Sequence, residues 1–186
     1  LLEALEELIS ISRNANIPAE IYHLKASREP NWSKLDEVIK RIEEVRAEGL
    51  KITADIYTYN ASSTGLTGVI PTWVQEGGHK AWINRMKDPQ VRPRLLADIR
   101  EQLDEQPPEG ILMVGFKTAK MSRKYLAKTV AEAAKMRGQT PEEAIVDMVI
   151  EDDNRIQCIY FSMSEDNIRK KIKLPWVSFC SDAGVY

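Results

Sequence analysis

The spacing of apolar residues switches between helical and strand-like patterns over the first 60 residues. Residues 1–15 place apolar side chains three and four positions apart, which predicts an amphipathic helix. A short apolar run at 19–24 predicts a strand, and Ser33 with Asp36 three residues later predicts a capped helix start. Residues 51–57 alternate between apolar and polar and predict a second strand. This order is typical of a parallel α/β sheet with crossover helices.

The middle of the chain has helical patterns without a strand between each pair. Residues 64–74 are rich in Gly and Thr and predict a loop. We therefore expect βα units over 1–64, a mostly helical insertion or small subdomain over 65–150, and a return to the βα alternation over 151–186. Helices are predicted over 74–86, 88–106, 129–137, 140–152 and 164–173, and strands over 111–116, 155–161 and 176–180.

Polar groups follow three of the predicted strands. His23 and Lys25 come at the end of the first strand, Asp55 and Tyr57 at the end of the second, and Asp182 just after the last. In parallel α/β folds the catalytic groups lie at the C-terminal edge of the strands. Three such groups in register therefore point to a site at that edge.

Each candidate also has a structural interpretation. His23 is either a buried, hydrogen-bonded histidine or a metal ligand through its neutral imidazole. Asp182 is either a turn or cap residue, or else a base or metal ligand. Lys25 is either a solvated loop lysine or an anion-binding charge. The hydroxyl cluster that contains Tyr57 and Ser63 is either turn chemistry or a set of hydrogen-bonding groups for a polar substrate.

Composition and charge narrow the classes of partner. The 26 Lys and Arg residues against 28 Asp and Glu give a net charge of −2 without a basic block, so we expect no nucleic-acid partner. No apolar run approaches the ~18 residues of a membrane span, so we expect no membrane partner. Cys158 and Cys180 predict buried free thiols in a reducing, cytoplasmic compartment. The basic run at 169–171 predicts an exposed, solvated face.

Four stretches, taken together, resemble the N-acyl-D-amino-acid deacylases, or D-aminoacylases, of the amidohydrolase superfamily. Their order along the chain also matches, and the helical insertion falls where that family carries one. The stretches are IPAEIYHLK at 17–25, TADIYTYNASSTGL at 53–66, YFSMSED at 160–166 and PWVSFCSD at 175–182.

The resemblance implies a fold and a set of roles. It implies that the chain is the C-terminal part of a TIM-like (β/α)8 barrel of a zinc-dependent hydrolase, with a helical insertion and with the final barrel strands at 151–186. It also implies that His23 binds zinc and that Asp182 is the catalytic carboxylate. The substrate, a small N-acyl amino acid, would be held by Lys25, Tyr57 and Ser63.

The chain departs from the family pattern in two places. The usual Tyr-Pro-Tyr reads Tyr57-Thr58-Tyr59. The family's early His-x-His, its bridging Cys or acid and its fifth-strand His all precede the region that Leu1 begins, so His23 is left as a single histidine ligand. One ligand does not make a zinc site, so we expect the site to be incomplete in this chain and the chain alone to be inactive.

The pattern at the two ends suggests an internal piece of a longer protein. The chain opens on a helical pattern at Leu1 without an initiator Met, and it stops at Tyr186 shortly after a predicted strand. Such a piece would associate with itself or need the missing barrel portion, because the edges of its sheet are unpaired. Two other functions stay open: another amidohydrolase of dihydroorotase or hydantoinase type acting on cyclic amides, and a non-catalytic part-barrel module.

Overall fold

The computed structural model describes residues 1–183 and separates them into two compact units. Unit 1 contains residues 1–60 and 163–183, and unit 2 is Ala61–Ser162. The helices are α1 (Leu2–Ala15), α2 (Lys34–Ala47), α3 (Thr72–Gln75), α4 (His79–Lys87), α5 (Arg92–Glu105), α6 (Ala119–Tyr125), α7 (Val130–Arg137), α8 (Pro141–Asp152) and α9 (Glu165–Lys171). The strands are β1 (Ala19–Ile21), β2 (Ile52–Ile56), β3 (Ser62–Gly65), β4 (Ile111–Gly115), β5 (Gln157–Tyr160) and β6 (Val177–Phe179).

Unit 1 is built on a parallel sheet with the strand order β1-β2-β6. The central strand β2 buries Ile52, Ala54 and Ile56 on one face, against the apolar stripes of α1 and α2. Because side chains alternate along a strand, Asp55 points to the opposite face. The predicted helix–strand–helix–strand order of the first 60 residues is confirmed.

Unit 2 has its own antiparallel sheet, with the strand order β3-β5-β4 and helices α3 to α8 around it. Two of these helices begin with reciprocal capping boxes, Thr129 with Glu132 and Thr140 with Glu143. Each box satisfies backbone N–H groups at a helix start that would otherwise be unbonded. The predicted helix starts at 129 and 140 are confirmed.

The pairing of one strand differs from the expectation that the parallel βα alternation returns over 151–186. The predicted strand at 155–161 forms β5, which pairs with β3 and β4 in the antiparallel sheet and does not join the parallel sheet. The predicted loop at 64–74 contains the end of β3, a 3-10 turn at Leu66–Val69 and the start of α3. The limits of unit 2 are wider than the predicted insertion because β3 and β5, far apart in sequence, pair with each other.

One local expectation is also wrong, and one helix was not predicted. Ser33 makes no side-chain capping bond and already has helical backbone angles, so it forms no box with Asp36. Helix α6 was not expected; Thr118 caps it by accepting a hydrogen bond from Met121 N. Within residues 1–183, no helix combines the length and the apolar character that crossing a membrane requires.

Candidate metal and substrate site

The carboxyl ends of β1, β2 and β6 lie at the same edge of the unit 1 sheet, because the strands are parallel. Main-chain hydrogen bonds continue past the regular strands on both sides of β2. Leu24 N donates to Asp55 O at 2.9 Å, and Cys180 N donates to Ile56 O at 2.9 Å. The residues that follow each strand are therefore held side by side, as the sequence predicted.

His23 and Asp182 face each other at this edge. The distance from His23 Nε2 to Asp182 Oδ1 is 3.3 Å. Nε2 is nevertheless buried and makes no hydrogen bond to any residue of the described chain, so the contact is close without hydrogen-bonding geometry. A buried ring nitrogen without a partner carries a desolvation cost. A metal ion is one group that would bind it.

The backbone at His23 and Asp182 is strained. Their φ angles are 55° and 51°, in the left-handed region that costs a non-glycine residue about 1–3 kcal/mol. The turn at His23 is supported by its main-chain N, which donates to Asp55 Oδ1 at 2.6 Å. The imidazole packs against the rings of Tyr22 and Tyr57, with centroids 3.5 Å and 5.2 Å away. These contacts hold the imidazole in place toward Asp182.

Three potential metal-binding side chains converge at the same place. One ligand atom each from His23, Asp55 and Cys180 lies within 4.8 Å of the other two. Imidazole nitrogen, carboxylate oxygen and thiol sulfur are the donors that zinc accepts in proteins. This donor set and the unbonded Nε2 fit an ion of the zinc class. The sequence pattern did not predict Cys180 as a metal ligand.

The position of Cys180 differs from the sequence expectation, and that of Cys158 agrees with it. Cys180 is only partly buried, whereas Cys158 is buried in the core of unit 2. Burial is the largest cause that raises the pKa of the Cys180 thiol; a main-chain hydrogen bond from Asp182 opposes the rise and the Asp55 charge adds to it. Burial alone raises the pKa of Cys158 to about 12. Cys158 is therefore an inert core thiol, and Cys180 lies in a polar site.

Lys25 and Tyr57 form a second pair at this edge. Lys25 Nζ donates to the Tyr57 hydroxyl at 3.0 Å and lies 5.2 Å from the centroid of that ring. Because the buried phenol oxygen accepts from Lys25, its own O–H proton is available for another acceptor. The ammonium group also keeps donors that this bond does not use. Together the two groups can bind an anion such as a carboxylate.

Lys171 corrects the expectation that the basic run at 169–171 is a solvated face. Its side chain is buried, and Nζ donates to Leu24 O at 2.7 Å. Burial first and the charge of Lys25 second lower the pKa of Lys171 to about 8. The bond fixes the main chain between His23 and Lys25. Lys171 lies three positions after the buried Ile168 on α9, a spacing that puts both side chains on one face of the helix. This spacing was the signal in the sequence that could have indicated its burial.

Ser63 is in unit 2, on β3, whereas the other predicted site residues are in unit 1. Its hydroxyl donates to Cys158 O at 3.2 Å and accepts from Gln157 Nε2 at 2.6 Å. These bonds occupy the hydroxyl within its own sheet. A role for Ser63 beside Lys25 and Tyr57 stays a prediction.

Comparisons with known proteins point to one group of hydrolases. No family model matches the chain. The curated N-acyl-D-glutamate deacylase of Alcaligenes xylosoxydans xylosoxydans is 31% identical over 61 residues, which is 33% of this chain and 12% of that protein. A solved N-acyl-D-glutamate deacylase from Bordetella bronchiseptica, complexed with zinc and a phosphonate mimic of the tetrahedral intermediate, matches 97% of this chain with a TM-score of 0.66 and 20% identity.

Solved D-aminoacylases match the fold of this chain to a similar extent. One that defines a novel subset of amidohydrolases matches 97% of this chain with a TM-score of 0.63 and 22% identity. Another, described for its binuclear metal centre, has a TM-score of 0.64 and 22% identity. The chain spans 29% of the length of each of these solved proteins. At this identity the likeness shows the fold: the predicted α/β class and the predicted resemblance to D-aminoacylases are confirmed.

Proposed function

We propose that this chain is the C-terminal part of the TIM-like barrel of a zinc-dependent amidohydrolase that hydrolyses the amide bond of N-acyl-D-amino acids. The observation that carries the proposal is the unbonded, buried Nε2 of His23, 3.3 Å from Asp182 Oδ1 at the carboxyl edge of a parallel sheet. The substrate class is supported by the similar solved deacylase, which is complexed with zinc and a phosphonate inhibitor. The larger part of the barrel would come from a longer chain, since the match spans 29% of that protein.

In this mechanism His23 holds the metal and Asp182 moves the proton. Bound zinc would supply Lewis-acid polarisation of the scissile carbonyl and a water of lowered pKa. Asp182 accepts a proton from the attacking water as its oxygen bonds to the carbonyl carbon. The same carboxyl group then donates that proton to the amide nitrogen as the C–N bond breaks. The products are a carboxylic acid and a free amino acid.

The substrate would be held by its carboxylate. Lys25 supplies the positive charge, and Tyr57 supplies a hydroxyl donor because its oxygen already accepts from Lys25. Ser63 is the third group that we assign to this role. Lys171 is a positioning residue, since its bond to Leu24 O holds the chain segment that carries both His23 and Lys25.

The cellular setting follows from the same proposal. The free cysteines Cys158 and Cys180 are compatible with a reducing compartment, and we propose a cytoplasmic location. The partner of the site is a small N-acyl amino acid. The remaining partner is the rest of the barrel, supplied by the longer chain or by self-association.

The test is a substrate comparison in the longer protein that contains this chain. We expect it to release free amino acid from an N-acetyl-D-amino acid, to lose this activity on zinc chelation, and to recover it when zinc is returned. His23→Ala should lower the bound zinc and abolish turnover. The 186-residue chain alone is the matched control and should be inactive.

Two results would overturn the proposal in different directions. Hydrolysis of a hydantoin or dihydroorotate in place of the acyl amino acid would establish the cyclic-amide alternative. A folded longer protein that lacks hydrolysis and zinc would establish a non-catalytic part-barrel module.

A further inference from the structure

The edge of the unit 1 sheet gathers three metal-binding side chains from three separate chain segments. His23 follows β1, Asp55 is on β2 and Cys180 follows β6. Their ligand atoms all lie within 4.8 Å of one another. Around a tetrahedral zinc ion such atoms are roughly 3.3–3.7 Å apart, as follows from bonds of about 2.0–2.3 Å. Small side-chain movements would therefore bring the three donor atoms to the distances at which they bind one ion.

Strand geometry explains why Asp55 and Cys180 meet. The parallel register pairs Asp55 with Ser178. Side chains alternate along a strand, so Cys180, two residues beyond Ser178, lies on the same face as Asp55. The hydrogen bond from Cys180 N to Ile56 O, at 2.9 Å, extends the pairing far enough to keep this arrangement.

The third donor is placed by a turn. His23 leaves the strand geometry at a φ of 55°, and its main-chain N is bonded to Asp55 Oδ1 at 2.6 Å. The Asp55 carboxylate thus fixes the histidine that stands beside it. Nε2 is buried and has no hydrogen-bond partner among the residues described. A metal ion would bind this nitrogen together with the neighbouring sulfur and carboxylate.

We propose that Cys180 and Asp55 bind a divalent cation of the zinc class together with His23, so that this chain by itself holds a three-ligand metal site. The inference deepens the proposed function and rests on it for the role of His23. The Cys180 thiol gives its proton to solvent when the sulfur binds the ion. Three protein ligands are the usual number at a catalytic zinc.

The test is a titration of the reduced 186-residue chain with Co²⁺, which reports thiolate ligation by absorption. We expect one equivalent of cobalt to bind with an intense near-ultraviolet sulfur-to-cobalt band, and we expect zinc to displace it. The chain has two cysteines, so Cys158→Ala is the matched control and should keep the band. Cys180→Ser should remove the band and weaken binding by more than the roughly 10- to 100-fold that outer-shell changes cost.

A second variant separates ligation from folding. Asp55→Asn keeps an oxygen that can accept from His23 N but removes the negative charge, so cobalt binding should weaken while far-ultraviolet circular dichroism is unchanged. Absence of cobalt binding, binding without the sulfur band, or a band that Cys180→Ser retains would overturn the proposal. None of these results removes the proposed deacylase activity, which is measured by substrate hydrolysis and by zinc loss in His23→Ala of the longer protein.

Discussion

The two units of the chain differ in how completely their buried polar side chains are hydrogen-bonded. In unit 2 the fully buried carboxylate of Asp152 accepts hydrogen bonds from Lys117 N at 2.8 Å, from Thr118 N at 2.9 Å and from Thr118 Oγ1 at 2.8 Å. In unit 1 the buried Nε2 of His23 has no hydrogen bond among the described residues. Trp176 Nε1, the other buried side-chain atom found unbonded in the described chain, is also in unit 1.

Backbone strain by itself does not distinguish unit 1 from unit 2, because both contain non-glycine residues with positive φ angles. Asp153 in unit 2 has a φ of 46°, close to the values at His23 and Asp182 in unit 1. The Asp153 carboxylate, however, is bonded to Lys117 Nζ at 2.7 Å and to His79 Nε2 at 2.9 Å. The combination of strain with an unbonded buried atom is what distinguishes the unit 1 edge. Folded proteins accept such costs mainly at functional sites.

The largest expected effect on stability is in unit 2. Asp152→Ala leaves two main-chain donors and one hydroxyl buried without an acceptor, at about 1–3 kcal/mol for each group. We expect the free energy of unfolding in urea to fall by about 3 kcal/mol or more. Asp182→Asn is the matched control in unit 1, where asparagine tolerates the left-handed backbone and should change stability by less than about 0.5 kcal/mol. Equal losses would contradict the contrast between the units.

A change at Lys25 should affect substrate recognition and leave the fold intact. Lys25→Met removes a charge-assisted bond of about 1.5–3 kcal/mol, which is roughly a 10- to 150-fold loss in kcat/KM. The loss should appear with an N-acyl amino acid and nearly vanish with its neutral amide. Lys173→Met, at an exposed lysine of the same unit, should leave both substrates unaffected. Equal losses with the acid and the amide would make Lys25 a structural residue.

The buried amine of Lys171 predicts a pH dependence of unit 1. Its pKa is about 8 in the folded chain against about 10.5 for an ordinary lysine, so between these values the unfolded chain binds more protons. The free energy of unfolding should therefore rise with pH between about 8 and 10.5, by at most about 1.4 kcal/mol per pH unit. Subtracting the urea-unfolding curve of Lys171→Met isolates this rise. Lys170→Met, which changes an exposed lysine, should not remove it.

The smallest expected effect is at the exposed ion pairs of unit 2. Lys117 first and His79 second lower the pKa of Asp153 to about 2 from its ordinary value of 3.8. A lowered carboxylate pKa stabilises the fold above about pH 4, and this contribution is lost as the pH falls through about 2. Because the groups are exposed, salt screens the effect. Asp153→Asn should reduce the acid sensitivity of the urea midpoint, and high salt should reduce it in the unchanged chain.

The sequence predicted the elements whose partners are near in the chain. Residues 1–15 and 140–152 became helices at the expected places because apolar spacing and capping chemistry act locally. Strand β3 was missed because Ser62–Gly65 lacks an apolar pattern and is stabilised by pairing with β5, nearly a hundred residues away. The assignment of β5 to the parallel sheet was wrong for the same reason.

The positions of the candidate residues were predicted in part, and their roles stay predictions. The strand-end rule placed His23, Lys25, Tyr57 and Asp182 at the edge where the structure has them. It did not identify Cys180 as a neighbour of Asp55, because their meeting depends on the register of β2 with β6. It also did not identify the buried Lys171, because a basic run is normally solvated and only tertiary packing buries one member of it.

The most direct test of the central claim, that the unit 1 edge is the reacting site, is the kcat of Asp182→Asn in the longer protein. The substitution keeps the shape of the side chain and removes its basicity. We predict that kcat falls roughly 10²- to 10⁴-fold, as for a positioned acid–base group, while the zinc content and the urea midpoint are retained. Asp166→Asn, at an exposed acid of the same unit, should leave kcat unchanged. A near-normal kcat for Asp182→Asn would make Asp182 a turn residue and contradict the account.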